Sequence, residues 1–253
     1  MSTFRNDPRG PVRRITGREF TDASSHSRHA LAGNGFNRSL CRGQFPLRLL
    51  AFLSAVRNGQ TIGHHRLTFQ KSGTQLKVST EIDLAVKFMG VTAYRYMHRA
   101  EEFWNGDTFH GLTAQTDDDG KKFAIRIRRD GAALAVERNA RPDVLSPAKF
   151  DRGLQRDDSI RTTLPPQLLP SSHWNVRQVR QAALINTQTG AEARVQVSVL
   201  GRETIRTANA SIDATRYRYT GDLVMDQWFD DAGRWVKTSF TASDGSTIEY
   251  VLQ

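Results

Sequence analysis

The stretch LKVSTEIDLAVKF, residues 76–88, changes side-chain character at every position. One set of alternate positions is apolar apart from a threonine, and it comprises Leu76, Val78, Thr80, Ile82, Leu84, Val86 and Phe88. The other set is mostly charged or small, and it comprises Lys77, Ser79, Glu81, Asp83, Ala85 and Lys87. A period of two is the repeat of a β-strand, whose successive side chains point to opposite faces. The stretch therefore predicts one long strand with a buried face and a solvent-exposed face.

Tight turns bound this strand and recur along most of the chain. Two-residue turn signals occur at Asn58-Gly59, Ser72-Gly73, Asn105-Gly106, Asp119-Gly120, Asp130-Gly131 and Asp244-Gly245. Such pairs favour the tight turns of β-hairpins, and strands that are joined in this way are antiparallel. The segments between the turns leave room for strands of about 8–14 residues, which is longer than the usual five or six.

Long strands in sequential order predict the architecture. The alternation of apolar and polar residues returns at 123–128, 195–199 and 248–252. Because long strands twist, we expect an all-β fold in which an antiparallel meander curls into a half-barrel or partly closed barrel, with the apolar face on the concave side. A sandwich of short Greek-key strands is the alternative.

One long proline-containing insertion, residues 141–192, interrupts the pattern. Five of the eight prolines fall there. Irregular segments of that length in compact domains are usually functional or disordered. A short helix is expected at 146–150, where a serine precedes a proline. The parts at 169–175 and 184–190 contain apolar residues such as Trp174, so we expect them to dock over an open end of the sheet.

The first 48 residues differ in composition from the rest. They hold nine arginines and three acidic residues, and so contribute +6 to the formal net charge of +10. Glycine, proline and serine are frequent there and no regular period is sustained, which is typical of disorder. We expect residues 1–48 to be a disordered or non-native arginine-rich leader and residues 49–253 to be a single antiparallel β domain. The single cysteine, Cys41, excludes an internal disulfide and a cysteine-based zinc cage.

Eight short segments together resemble a known bacterial family. They are NGQTIGHHR (58–66), YRYMHR (94–99), EFWNG (102–106), TDDDG (116–120), SHWN (172–175), INTQTG (185–190), TGDL (220–223) and WFDDAGRW (228–235). In this order they resemble the family catalogued as domain of unknown function 6134, over about residues 49–253. The resemblance implies an exported all-β protein of the periplasm or cell envelope, without an assigned activity. No export signal is visible ahead of the first strand, and a cytoplasmic location is the alternative.

No recognised catalytic motif occurs in the sequence. It lacks a dinucleotide-binding glycine loop, a phosphate-binding loop and the glycine-flanked serine of esterases. Residues 117–119 are three aspartates, but they lack the spaced ligands of a calcium loop, and a solvated turn explains them. His64 and His65 are adjacent, so on a strand they face opposite sides and cannot share one metal ion. We expect the inward one to be hydrogen-bonded, and we expect no metal or other cofactor.

Two groups of residues are candidates for a ligand site. The first lies in the insertion and comprises His173, Trp174, Asn175, Asn186, Thr187 and Gln188. The second shares one face of a predicted strand and comprises Tyr96, His98 and Glu102. A carboxylate near a histidine shifts the pKa of the imidazole and suits acid–base work. The alternatives are structural roles: a histidine–carboxylate pair in the barrel wall, and a buried tryptophan that anchors the insertion to the sheet.

These features favour a binding or carrier protein of the cell envelope. An apolar or amphipathic ligand, such as a lipid, would lie in the concave side of the sheet with the insertion as its rim. The alternative is a small-substrate enzyme that uses His173 or the His98/Glu102 pair. No nucleic acid partner is expected, because the basic residues at 121–129 alternate with apolar ones, as on the solvent-exposed face of an ordinary strand. The apolar run at 47–56 is too short to span a bilayer. The oligomeric state stays open.

Overall fold

The computed structural model describes residues 47–139 and 159–253. Within these ranges lie fifteen strands and one short 3-10 helix, Val176–Arg180. The strands are β1 Leu47–Arg57, β2 Gln60–Ser72, β3 Gln75–Phe88, β4 Val91–Asn105, β5 Thr108–Asp118, β6 Lys121–Asp130, β7 Ala133–Asn139, β8 Ser159–Leu164, β9 Leu169–Pro170, β10 Ala183–Ile185, β11 Glu192–Arg206, β12 Ser211–Gly221, β13 Met225–Asp230, β14 Trp235–Thr241 and β15 Thr247–Leu252. The predicted leader, apart from its last two residues, and the predicted helix at 146–150 lie outside the described residues.

The strands form one sheet in which neighbours along the chain are mostly neighbours in space. The order is β8-β7-β6-β5-β4-β3-β2-β1-β15-β14-β13-β12-β11-β10-β9. The first and last strands pair with each other in an antiparallel ladder, and the short β9–β10 ladder is parallel. The first six strands have 10–15 residues. The predicted long-stranded meander is therefore confirmed.

A very short connection joins the two edge strands. β8 ends at Leu164 and β9 begins at Leu169, although the two strands lie at opposite edges of the sheet. The intervening chain spans at most about 17 Å when fully extended, so the edges must approach each other at one end. In the described chain no ladder joins these two strands. The sheet is thus a partly closed barrel, as the sequence predicts.

The inner face of the barrel carries the main hydrophobic core. Along β3, alternate residues from Val78 to Leu84 are buried and the residues between them are half-buried. The core continues through Leu112, Ile127 and Val136 on the neighbouring strands. The alternation that predicts the strand also identifies this buried face.

Phe88 is the exception to the predicted buried face, because 70% of it is exposed. The pairing of β3 with β2 ends at Leu84, and the pairing of β4 with β5 begins at Tyr96. Residues 85–95 therefore have their strand partners among themselves, and only Arg95 also accepts a backbone hydrogen bond from Asp119 in the β5–β6 turn. We call residues 85–95 the rim hairpin. Near its tip, no strand of the described residues covers an apolar side chain.

The described part of the insertion packs against the inner face. Its buried apolar residues belong to the same core cluster as the sheet, and they are Leu164, Leu168, Leu169, Leu184 and Ile185. Gly190 lies so close to β7 that a Cβ there would be 3.2 Å from the side chain of Val136. The packing predicted for 169–175 and 184–190 is therefore confirmed for Leu169, Leu184 and Ile185, although these residues contact the inner face of the sheet. All described strands fall within one compact unit, Gly43–Gln253, while the domain boundary at residue 49 stays a prediction.

Candidate ligand-binding site

The concave side of the barrel holds a cavity of about 1010 Å³. Its β3 wall runs from Phe88 at the open end, through Leu84 and Ile82, to Thr80 at the inner end. Further apolar lining residues are Ile62 on the adjacent β2, Met225 on β13, Phe240 on β14 and Ile248 on β15. A cavity of this size and composition is suited to an organic molecule.

The mouth of the cavity lies where several hairpin turns meet. Lining residues at this end include Arg57, Asp119 and Asp244, each from or beside the turn of a different hairpin. Arg57 and Asp244 form an ion pair with each other. The rim hairpin contributes Phe88, and the β12–β13 connection contributes Val224, which is 70% exposed. The mouth therefore combines paired charges with exposed apolar side chains.

The inserted segment reaches into the cavity through His173. This residue has a φ of 69°, a left-handed conformation that histidine adopts more readily than most residues. Its ring stacks on Trp235 with 5.2 Å between the centroids. Nε2 of Gln227 lies 2.6 Å from Nδ1 of His173. The partner of His173 is thus an amide on β13, and no carboxylate among the described residues contacts it.

Three histidines line the inner end of the cavity: His65, His98 and His173. His98 is buried, and its Nδ1 lies 2.7 Å from Oγ1 of Thr116. Burial lowers the pKa of His98 to about 4, and burial beside His98 lowers the pKa of His173 to about 4. Burial, with His173 and His98 nearby, lowers the pKa of His65 well below its usual value. All three rings are therefore neutral near pH 7.

His65 differs from the sequence expectation. It faces inward and is 1% exposed, but within the described chain neither ring nitrogen has a hydrogen-bond partner. Its neighbours are instead aromatic rings, with Trp235 at 4.8 Å, Tyr250 at 5.2 Å and His173 at 5.9 Å between centroids. The expectation that the inward histidine is hydrogen-bonded was wrong.

Glu102 lies two residues beyond the inner end of the cavity along β4. It is fully buried and accepts hydrogen bonds from the indole N–H groups of Trp104 at 2.9 Å and Trp174 at 3.2 Å. Ser172 is a third hydrogen-bond partner. Burial raises the pKa of Glu102 to about 7, although these hydrogen bonds favour the charged form. The hydrogen bonds from Trp174 and Ser172 to Glu102 anchor the insertion to β4.

The structure does not bring His98 and Glu102 together. Four residues along a strand correspond to about 13 Å, and each side chain has its own set of hydrogen-bond partners. Two other candidates in the insertion, Trp174 and Asn175, do not line the cavity. Trp174 packs on the rings of Trp104 and Phe69. The side chain of Asn175 accepts a hydrogen bond from the backbone N–H of Arg177, in the 3-10 helix, at 3.1 Å.

The remaining candidates all line the cavity, and they are Tyr96, Asn186, Thr187 and Gln188. Asn186 organises its own turn, since its Oδ1 accepts the backbone N–H of Gln188 at 2.9 Å. The Gln188 side chain accepts the hydroxyl of Tyr96 at 3.2 Å and donates to Asp118 at 3.3 Å. These hydrogen bonds join the insertion to β4 and β5. Thr187 lies between the two turn residues and also lines the cavity.

Two further findings concern metals and membranes. No group of three histidine, cysteine, aspartate or glutamate residues in the described ranges is arranged to hold a metal ion. Across the same ranges, no helix has the length and apolar character that crossing a bilayer requires.

Comparisons with known proteins place the chain in a family. The family described as domain of unknown function (DUF6134) matches residues 54–253. The chain belongs to this family. The fold of this DUF6134 domain is also similar to a crystal structure described as a beta-barrel-like protein of domain of unknown function DUF1849 from Brucella abortus. That likeness has a TM-score of 0.52 at 11% identity and covers 83% of this chain and 96% of that chain. The comparison with curated proteins found no match.

Sequence reasoning missed the residues that contact His173 in this DUF6134 domain. Tyr250, Gln227 and Trp235 meet His173 although they lie on three different strands near the C-terminus. No local pattern distinguishes them from ordinary core residues. The register of β15 against β1 is what brings Tyr250 beside His65.

Proposed function

We propose that this DUF6134 domain is a binding or carrier module for an apolar or amphipathic ligand, held in the cavity on the concave side of the sheet. The observation that carries the proposal is the cavity of about 1010 Å³ itself. Packed protein interiors rarely contain voids larger than a water molecule. A space of this size, walled by apolar side chains and open at one end, is the arrangement that open-ended β-barrels use to hold ligands.

The mouth supports an apolar route of access. On the rim hairpin, Phe88 and Val91 are each 70% exposed and Met89 is 89% exposed. Exposed apolar side chains grouped beside a cavity suit a ligand that arrives from an apolar environment. A location in the periplasm or cell envelope, suggested by the family resemblance, is part of the same proposal.

The small-substrate enzyme has less support. A carboxylate in hydrogen-bond reach commonly orients a catalytic histidine and tunes its pKa. His173 contacts the amide of Gln227, and Glu102 contacts indole N–H groups. Neither group has the partner that the enzyme hypothesis needs.

Blocking the cavity tests the binding function. The wild-type chain should bind the apolar fluorophore N-phenyl-1-naphthylamine saturably. Val86→Trp places a large ring on the cavity wall and should weaken binding about tenfold, which is about 1.4 kcal/mol. Ala85→Trp is the matched control, since Ala85 is the adjacent residue and does not line the cavity. It should change the dissociation constant less than about twofold. A fluorescence titration that shows no saturable binding, or equal losses in both variants, would contradict the proposal.

A further inference from the structure

We propose that the inner end of the cavity binds the carboxylate of an amphipathic acid, with His65, His98 and His173 as the contacting residues. This inference rests on the proposed function and adds the charge and the orientation of the ligand. The apolar part of the acid would extend along the β3 wall towards the mouth.

The three imidazoles converge from separate elements. His65 on β2 and His98 on β4 both stand opposite Ile82 of β3. They therefore share one face of the sheet, with their backbones two strand spacings or about 10 Å apart. His173 approaches from the insertion, and its ring centroid lies 5.9 Å from that of His65.

Hydrogen-bonding capacity at this end of the cavity is unused. Both ring nitrogens of His65 and Oγ1 of Thr80 are buried and lack partners in the described chain. Buried polar atoms without partners are uncommon and destabilising. The amide nitrogen of Gln227 can only donate, so Nδ1 of His173 accepts and Nε2 of His173 carries the ring proton. A ligand with two acceptor oxygens supplies the kind of partner that these groups lack.

The surrounding groups favour an anion over a cation. The titratable groups beside the three rings are the rings themselves, the phenols of Tyr96 on β4 and Tyr250 on β15, and His64, which adjoins His65 on β2 and contributes to lowering its pKa. Neutral side chains also contact the rings, and they include Thr116 on β5, Gln227 on β13 and Trp235 on β14.

Acidic residues that line the cavity lie elsewhere. They are at the mouth, and they are Asp118, Asp119 and Asp244. The buried carboxyl group of Glu102 lies beyond the inner end, does not line the cavity and accepts hydrogen bonds from the indole N–H groups of Trp104 and Trp174. A cation at the inner end would therefore contact no carboxylate of the described cavity lining. An anion would meet N–H donors and rings that can take up a proton.

Proton uptake follows from this arrangement. The rings are neutral near pH 7 because burial lowers their pKa values. A bound carboxylate raises the pKa of a neighbouring imidazole, so binding should draw protons from solution. Affinity for the acid should then increase as the pH falls from about 8 to about 6, a range in which a carboxylic acid itself stays ionised.

Decanoic acid and decan-1-ol separate the role of the charge from that of the chain. In isothermal titration calorimetry with the full chain, decanoic acid should bind at least about fivefold more tightly than the alcohol at pH 6. Its affinity should rise at least about threefold from pH 8 to pH 6, whereas that of the alcohol should stay constant. Titrations in two buffers of different ionisation enthalpy should reveal proton uptake for the acid alone.

A substitution pair completes the test. His173→Asn suits the left-handed backbone and should weaken decanoic acid about fivefold while leaving decan-1-ol within about twofold. His110→Asn, on an exposed histidine of β5, should change neither ligand. Equal affinity for both ligands with no pH dependence would overturn the acid site and leave the proposed function standing. Failure of both decanoic acid and the alcohol to bind would overturn the two together. The pH series uses the wild-type chain, so it tests the acid site even if a variant does not fold.

Discussion

Replacing Trp174, which is half-buried against the core, with alanine is expected to lower the free energy of unfolding by about 3 kcal/mol, the lower end of the range for core aromatic side chains. Trp174 packs edge-on against Trp104 and Phe69, at centroid distances of 5.5 and 5.4 Å. Its indole N–H also donates to Glu102. The substitution removes ring contacts and leaves a buried carboxyl group with one donor fewer. Urea denaturation of the full chain measures the change.

Two variants show whether the effect belongs to the docking of the insertion. Trp174→Phe keeps an aromatic ring without the N–H and should be less destabilising than the alanine variant. Phe103→Ala removes an aromatic residue that is 41% exposed on the same strand as Glu102, and it should cost less than about 1 kcal/mol. A loss for Trp174→Ala as small as that for Phe103→Ala would mean that residue 174 does not hold the insertion in place.

The buried carboxyl group of Glu102 should make stability depend on pH. Burial raises its pKa from the ordinary 4.5 to about 7. A raised pKa means that the folded chain binds the proton more tightly than the unfolded chain. The resulting stabilisation is fully present below about pH 4.5 and is lost as the pH rises through about 7. The pKa difference corresponds to about 3 kcal/mol.

Glu102→Gln isolates this contribution from that of the histidines. Glutamine keeps an acceptor oxygen for the indole N–H groups but cannot ionise. The free energy of unfolding of the wild type, relative to the variant, should fall by about 3 kcal/mol between about pH 4.5 and about pH 8. Urea titrations of both chains across this range give the difference. A difference that stays constant with pH would show that Glu102 ionises at its ordinary pKa.

Much of the fold follows from local signals in the sequence. The alternation at 76–88 and the Asn-Gly and Asp-Gly turns each act over a few residues, and a hairpin converts them directly into antiparallel pairing. Phe88 shows the limit of this reasoning. The alternation places it on the correct face, but its exposure depends on how far β2 and β5 extend beside the rim hairpin. How far β2 and β5 extend is a property of those strands and is not encoded in the 76–88 stretch.

The strand β8 was missed for a related reason. Its residues are largely exposed, including Ile160 at 41%, so their sequence carries no clear burial pattern. Pairing with β7 at the edge of the sheet holds this strand. An edge strand with one partner and little buried surface leaves a weak signature in sequence.

The candidate site could be predicted only in part. His173 and the 186–188 turn are identifiable as candidates because apolar and polar residues mix there in a segment without a regular period. The partners of His173 come from β2, β13, β14 and β15, and their distances from it depend on the curl of the whole sheet. Conversely, His98 and Glu102 share a face as predicted, but the rise of the strand separates them.

The occupancy of the cavity is the most direct test of the central claim, that this DUF6134 domain holds an apolar or amphipathic molecule in its barrel. The measurement is native mass spectrometry of the full chain, purified without detergent from the cells that produce it, beside Val86→Trp prepared in the same way. We expect the wild type to carry one small organic molecule per chain, released on denaturation, and the variant to carry much less. A wild-type chain observed only at its own mass, or equal amounts of the molecule on both chains, would contradict the claim.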